Sequence, residues 1–170
     1  MTLDVQYEYR TGIGTDIHRL VQGRELKLGG ITIPFPKGLL GHSDGDAVLH
    51  AVTDALLGAA VMGDIGMFFP DDDPQWAGAD SAQLLRTVVQ HLTDKHWEVV
   101  NVDVIVHAEE PHLGRFKMQI KRNIASILGT DFNNVNVKAK TNEGLGDIGA
   151  GQAIAATANV LLRRRLKRTL

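Results

Sequence analysis

The chain has 170 residues, enough for one domain with a substantial core and short for two. Its 44% apolar and 22% charged residues are ordinary for a globular protein, and its formal charge of -2 offers no footprint for a nucleic acid. No apolar run is long enough to cross a bilayer, and without cysteine both disulfides and thiolate metal sites are excluded, so a transition-metal site must be built from His and carboxylates.

Taken in chain order, the opening "MTLDVQYEYRTG" lacks the charged start and apolar stretch of a secretory signal, and it is acidic rather than Arg-rich. The expected location is the cytoplasm, or the plastid stroma if a transit peptide has been removed. Residues 9–21 read as a strand. "LKLGGITIP" (26–34) reads as an extended segment or hairpin punctuated by a Gly pair and Pro34. "GHSDGD" (41–46) is turn chemistry leading into an Ala/Leu-rich helix over 46–63, with Asp44 or Asp46 at its start. A long irregular connection over 63–80 is rich in Gly, Pro and Asp, and an amphipathic helix follows over 81–95. In 97–109, Val100, Val102, Val104 and Val106 share one face of a strand. Residues 111–129 read as a helix ended by Gly129, and 134–141 as a strand. The last segment, "GQAIAATANVLLRRRL", has the Ala content of a helix and the alternation of a strand, and periodicity does not decide between them. The basic run "RRRLKR" (163–168) reads as a solvated tail or helix end. The whole is a single domain over 1–170, α+β or mixed α/β, with α+β the expected class.

"GLGDIG" (144–149) matches G-x-G-x-x-G, but a dinucleotide site needs a crossover helix, a second parallel strand and an acid about 20 residues on. No acid follows residue 149, so these glycines are read as a turn, one that a phosphate can approach closely.

The residues that carry chemistry begin with Asp16 and His18. On a strand, residues two apart project to the same face, so a carboxylate and an imidazole can converge on one ion. Asp46, His50 and Asp54 share one face of the 46–63 helix at four-residue spacing, and one of the carboxylates can orient the His50 ring. Asp16, His18 and His50 together make three ligands with one position open, the form of a catalytic zinc site. His42 and Ser43, just before the helix, suit an anion near its N-terminus. Asp64, Asp71, Asp72 and Asp73 lie beside Phe68 and Phe69 in the long connection, which has the length of a lid or binding loop. Lys140, Thr141, Asn142 and Glu143 close a strand with an ammonium, a hydroxyl and a carboxylate, a combination that suits a phosphate and its divalent cation. From the residues alone, a zinc hydrolase and a scaffold with structural zinc both remain open.

The segments "TDIHRL", "GLLGHSDGDAVLHAVTDALLGAA", "GDIGMFFPDDDP", "GADS", "NVDV" and "VNVKAKTNEGLG" together closely resemble the 2-C-methyl-D-erythritol 2,4-cyclodiphosphate synthase family, from about residue 11 to about residue 162. The resemblance implies a four-stranded mixed sheet packed against helices, and a homotrimer with its sheets around a threefold axis and its active sites between subunits. It implies zinc on Asp16, His18 and His50, and magnesium or manganese on Glu143. It implies substrate contacts at His42 and Ser43, around Ile17, and in the Asp64, Ile65 and Gly66 loop, which Phe69 and Asp71 to Asp73 continue. A cytidine pocket is implied from Ala108, Glu109, Glu110, Pro111, His112, Leu113 and Gly114 with the late strand of a partner subunit, where Thr141 sits at the phosphates. The implied reaction closes a cyclic diphosphate from 4-diphosphocytidyl-2-C-methyl-D-erythritol 2-phosphate and releases CMP, with His42 and Thr141 stabilising the transition state. The chain departs from the family pattern at His112, where a Lys is usual, at Gly114, at Lys140, where many members carry Thr, and at the variable Asn142. At Ala150, preceded by Asp147 and Ile148, an Arg facing the axis is replaced.

Overall fold

Tyr7–Gln22 (β1), the longest strand among the described residues, alternates exposed and covered residues from Tyr7 to Leu20. The computed structural model describes residues 5–166. Within them β1 pairs antiparallel with Ala153–Arg165 (β7), from Tyr7 opposite Arg165 to Arg19 opposite Ala153. The ambiguous last segment is thus a strand: its alternating Ile154, Ala156, Ala158, Val160 and Leu162 are all buried. Arg163 and Arg164 of the basic run stand on this strand rather than in a tail, ion-paired with Glu98 and Glu8. The rest of that run, beyond residue 166, lies outside the described residues.

Glu98–His107 (β5) pairs antiparallel with β7, and Val135–Lys140 (β6) pairs parallel with β5. Val102, Val104 and Val106 are buried as the alternation requires, but a register shift between Val99 and Asn101 leaves Val100 out of that row and half-buried. The sheet has five strands rather than four, in the order β4-β1-β7-β5-β6. The extra edge is Lys37–Leu39 (β4), too short to stand out as a period in the sequence. Leu26–Leu28 (β2) and Ile31–Ile33 (β3) form a separate hairpin around the Gly pair, as the turn chemistry suggested.

One face of the sheet carries the helices. Ala47–Ala60 (α1) lies on β1 and β7 and is buried nearly all round, which fits its apolar composition better than an amphipathic stripe would. Asp46 caps it, accepting from the N–H groups of Val48 and Leu49. Behind α1 pack Ser81–Asp94 (α3), capped by Asp80, and then Lys117–Leu128 (α4), which also covers β6. The helix read over 111–129 begins only at Lys117, because Pro111 and Gly114 keep the preceding turn irregular; Gly129 ends it in the left-handed conformation, as expected. The connection over 63–80 holds one short helix, Ile65–Phe68 (α2), and a 3-10 turn at Pro74–Trp76. "GLGDIG" forms a turn around the short helix Gly146–Gly149 (α5).

Among the described residues, no helix packs on the opposite face of the sheet. Along β1 this face presents Tyr7, Tyr9, Ile13 and Ile17, with Ile13 68% and Ile17 57% exposed.

Glycines fix how closely α1 sits on β1. A Cβ at Gly12 would meet the Ala55 carbonyl oxygen and lie 2.6 Å from the Ala59 nitrogen. At Gly14 it would meet the Ala51 carbonyl and lie 2.6 Å from the Ala55 nitrogen. Both obstacles are backbone, so neither can swing away. The Gly14→Ala variant is expected to be less stable by about 1–3 kcal/mol, read as a lower denaturant midpoint at unchanged slope.

Candidate metal centre

Asp16 and His18 point from β1 toward α1, and His50 reaches down from the first turns of that helix. The Asp16 Oδ2 lies 2.8 Å from His18 Nε2 and 2.9 Å from His50 Nδ1. The two ring nitrogens are 3.2 Å apart, with the rings edge to face. Among the described residues this is the one group of three His or carboxylate side chains whose ligand atoms converge. A tetrahedral zinc ion with bonds of about 2.0–2.1 Å spaces its ligand atoms by about 3.3 Å, so the three donors already stand close to the required triangle. The far nitrogen of His18 supports the same reading: Nδ1 is 2.8 Å from the Leu40 carbonyl, which can only accept. Nδ1 therefore carries a proton, which leaves Nε2 as the nitrogen that can give its lone pair to an ion once its own proton is lost.

The electrostatics agree. Burial works against charging Asp16, but hydrogen bonds from the His18 and His50 rings outweigh it and hold the carboxyl well below the usual carboxylate range. The Asp16 hydrogen bond raises His18, against the opposing effect of burial.

Neither helix carboxylate orients His50. Asp46 is fully buried and turns back to the hairpin, accepting from Gly29 N–H at 2.9 Å and Gly30 N–H at 2.6 Å as well as capping α1. Asp54 accepts from Ile65 N–H at 2.7 Å and so ties down the start of α2; burial raises its carboxyl against that bond. The partners of His50 Nε2 are instead Ser81 Oγ at 2.9 Å and Ser43 Oγ at 3.1 Å. Ser81 begins α3 and was not singled out from the sequence, although it ends the "GADS" segment.

Around this centre, Ser43 is buried and His42 exposed. Asp64 caps α2, accepting from Met67 N–H at 2.9 Å, and Gly66 is exposed beside it. Phe69 is buried with its ring 4.9 Å from that of Trp76, so it holds the connection together from within. Asp73 caps the 3-10 turn, accepting from Gln75 N–H at 3.0 Å, while Asp71 and Asp72 are exposed. The side chain of Ile17 lies on the opposite sheet face from its neighbours Asp16 and His18.

A second group gathers where β5 and β6 end. Ala108, His112, Leu113, Gly114, Lys140 and Thr141 line one cavity of about 280 Å³, together with Ala139 and Lys117. Lys117 escaped the sequence reading because it was placed inside a helix rather than at its start. Glu109 braces the rim, accepting from the N–H groups of Asn142 at 3.0 Å and Gly144 at 3.5 Å. Thr141 Oγ1 donates to Glu143 Oε1 at 2.9 Å, and Glu143 is held at positive φ. Glu110 precedes Pro111 through a cis bond, and Asp147 and Ala150 lie exposed on and after α5.

The chain as a whole is similar to known proteins. Residues 9–163 match the model of the YgbB family. The chain is 50% identical over 153 residues to the 2-C-methyl-D-erythritol 2,4-cyclodiphosphate synthase of Treponema denticola, covering 90% of this chain and 95% of that protein. Among solved structures, the Plasmodium falciparum IspF CDP complex is 36% identical with a TM-score of 0.81, over 93% of this chain and 97% of that one. The bifunctional IspDF from Campylobacter jejuni is 39% identical with a TM-score of 0.90; the match covers 96% of this chain but 45% of the longer one. With the fold and nearly the full length matched, the chain belongs to the YgbB family, that of the 2-C-methyl-D-erythritol 2,4-cyclodiphosphate synthases.

Proposed function

We propose that the chain is a cyclodiphosphate synthase of isoprenoid precursor biosynthesis, a CMP-forming phosphorus-oxygen lyase acting in the cytoplasm. It converts 4-diphosphocytidyl-2-C-methyl-D-erythritol 2-phosphate into 2-C-methyl-D-erythritol 2,4-cyclodiphosphate. The observation that carries this reading is the convergence of Asp16, His18 and His50 in a chain whose relatives bear that name. An oxygen of the 2-phosphate attacks the β-phosphorus, the bond from that phosphorus to the bridging oxygen breaks, and CMP leaves with the electron pair. The nucleophile is already ionised, so the chain need not supply a general base; its task is to align and neutralise. Zinc held by Asp16, His18 and His50, and magnesium or manganese held by Glu143, supply positive charge to the diphosphate oxygens when bound. Among the described residues Glu143 belongs to no converging group of three His or carboxylate side chains, which suits a magnesium ion held mainly by phosphates and water. Thr141 can donate to a phosphate oxygen, and His42 is exposed beside the centre where it can do the same. The Asp64 loop suits the polyol hydroxyls, and the Lys117 cavity suits the nucleotide.

A homotrimer is part of the proposal, and two observations support it. The uncovered sheet face presents Ile13 and Ile17, which a partner would bury. In register, Ile17 lies opposite Ala155, then His107, then Lys140, so the centre and the β6 end occupy one edge of the sheet. They are separated by three strand spacings, about 14 Å, too far for one diphosphate to touch both within one chain.

Incubated with the cytidylyl substrate, zinc and magnesium, the protein is expected to release CMP and the cyclic diphosphate in equal amounts, followed by phosphorus NMR, and to run as a trimer in light scattering. Open-chain hydrolysis products would instead indicate a zinc hydrolase. Replacing Lys117 with Met is expected to weaken CMP binding about tenfold, or about 1.4 kcal/mol, and to leave cytidine binding unchanged in titration calorimetry.

Metal and proton compete for the centre. In the metal-free protein the lowered Asp16 contributes stability that is present above its ordinary 3.8 and lost as pH falls through its folded value. The raised His18 contributes stability that is present below its ordinary 6.5 and lost as pH rises through its folded value. The pair therefore stabilises the metal-free chain most between those two values. Zinc needs the neutral imidazole, so its stabilisation grows with pH. The rise in Tm on adding zinc is expected to be larger at pH 8 than at pH 6, measured by scanning calorimetry against a chelator-treated control.

A further inference from the structure

His50 has two ring nitrogens, and the second is not left to water. Nδ1 faces Asp16 and His18, while Nε2 faces Ser81 Oγ at 2.9 Å and Ser43 Oγ at 3.1 Å. Ser81 is 1% exposed and Ser43 7%, so these hydroxyls have few alternatives. Ser81 Oγ in turn makes a short hydrogen bond to Asp44 Oδ1. A carboxylate only accepts, so the Ser81 hydroxyl proton points to Asp44 and its lone pairs face outward. One lone pair meets His50 Nε2, and the other is 3.4 Å from Ser43 Oγ. The chain of polar groups thus runs in one direction, His50 Nε2–H to Ser81 O–H to Asp44. Lys27 Nζ, 3.6 Å from Asp44 Oδ2, balances the charge at its end.

We propose that Ser81 and Asp44 are positioning residues for the metal centre. They take up the Nε2 proton of His50, fix the plane of its ring, and make its Nδ1 a stronger donor. The inference rests on Asp16, His18 and His50 being zinc ligands. It gives a role to two residues that touch neither the ion nor the substrate in the proposed reaction. It parallels the arrangement at His18, whose far nitrogen is held by the Leu40 carbonyl, but here the acceptor ends in a carboxylate. A carboxylate behind a ligand imidazole raises its basicity, and losing such a partner typically costs about 10- to 100-fold in metal affinity.

The relay also couples the centre to the connection over 63–80. Asp44 N–H donates to the Ala79 carbonyl at 3.0 Å, and Gly78 N–H donates to the His42 carbonyl at 2.8 Å. The end of the connection is therefore docked on the same turn that holds the relay. Residues 77–81 and 42–44 act as one unit behind His50.

The test compares wild type, Ser81→Ala and Asp44→Asn for zinc affinity by chelator competition. In the zinc-loaded proteins, which are diamagnetic, proton–nitrogen NMR follows exchange of the His50 Nε2 proton. Ser81→Ala is expected to lower zinc affinity between about 10- and 100-fold and to lose the slowly exchanging Nε2 proton. Asp44→Asn keeps an acceptor for Ser81 but loses the charge, so it is expected to fall between Ser81→Ala and wild type on both readouts. A Ser81→Ala protein that binds zinc within twofold of wild type and keeps a protected Nε2 proton overturns the proposal. If Ser81→Ala does not fold, an Asp44→Asn protein identical to wild type on both readouts overturns it as well. Wild type that binds no zinc overturns the underlying ligand assignment instead, and so is distinguished from failure of the relay.

Discussion

The close approach of α1 to β1 is the constraint on which the remaining structure depends. Gly12 and Gly14 remove the side chains that would hold the helix away, and Ala47, Ala51, Ala55 and Ala59 present a row of small side chains at one-turn spacing. Two alternating strand residues beyond Gly14, the same face carries Asp16 and His18. Just after Ala47, the helix carries His50. The separation that lets backbone pack on backbone is the one that brings His50 Nδ1 within 2.9 Å of Asp16. Metal–ligand distances tolerate about 0.2 Å, far less than the shift that one methyl group between helix and strand would force. Packing and chemistry are therefore set by the same two glycines.

Several carboxylates crowd this region, and each has a different way of being satisfied. Asp46 accepts backbone N–H groups from the hairpin and from the helix it caps. Asp54 is engaged by Ile65 N–H and Asp44 by Ser81 and Lys27. Asp16 alone has imidazoles as its partners. Asp16 is thus the one of these carboxylates placed in the candidate metal centre, and the others build the frame: helix cap, loop anchor and ring support. Substituting Asp46 or Asp54 removes a helix cap or a loop anchor, whereas substituting Asp44 acts through Ser81 on His50.

Much of this was legible in the sequence, for physical reasons that differ from residue to residue. Strand alternation alone put Asp16 and His18 on one face, and helix spacing put His50 on a turn of its own; their meeting needed the resemblance. The pattern Asp46, His50, Asp54 misled, because equal spacing on a helix says nothing about which neighbour offers a better partner, and backbone donors won both carboxylates. Ser81 carries no signal of its own, since a serine at a helix start reads as part of a cap. The last strand was hidden by alanines, whose propensity favours helix while pairing along thirteen residues with β1 decides for sheet. The late start of α4 put Lys117 into a cavity rather than on a helix flank.

The strand order bears on why such a chain should act as an assembly. β1, β5 and β6 run in the same direction, so their C-terminal ends share one edge of the sheet, with β7 and β5 lying between the metal centre and the Thr141–Glu143 end. No motion of loops removes two intervening strands. The head-to-tail contact proposed for the trimer would, by setting the β6 end of one copy beside the β1 end of the next, and such contacts close into rings when the rotation fits. In the homotrimer proposed above, three copies would give three sites, each with the Asp-His-His centre of one chain facing the Lys117 cavity of another. The uncovered face bearing Ile13 and Ile17 supplies the apolar surface that such a ring would bury. In the proposed ring, assembly would be a condition of catalysis, because the two halves of the site within one chain stand about 14 Å apart.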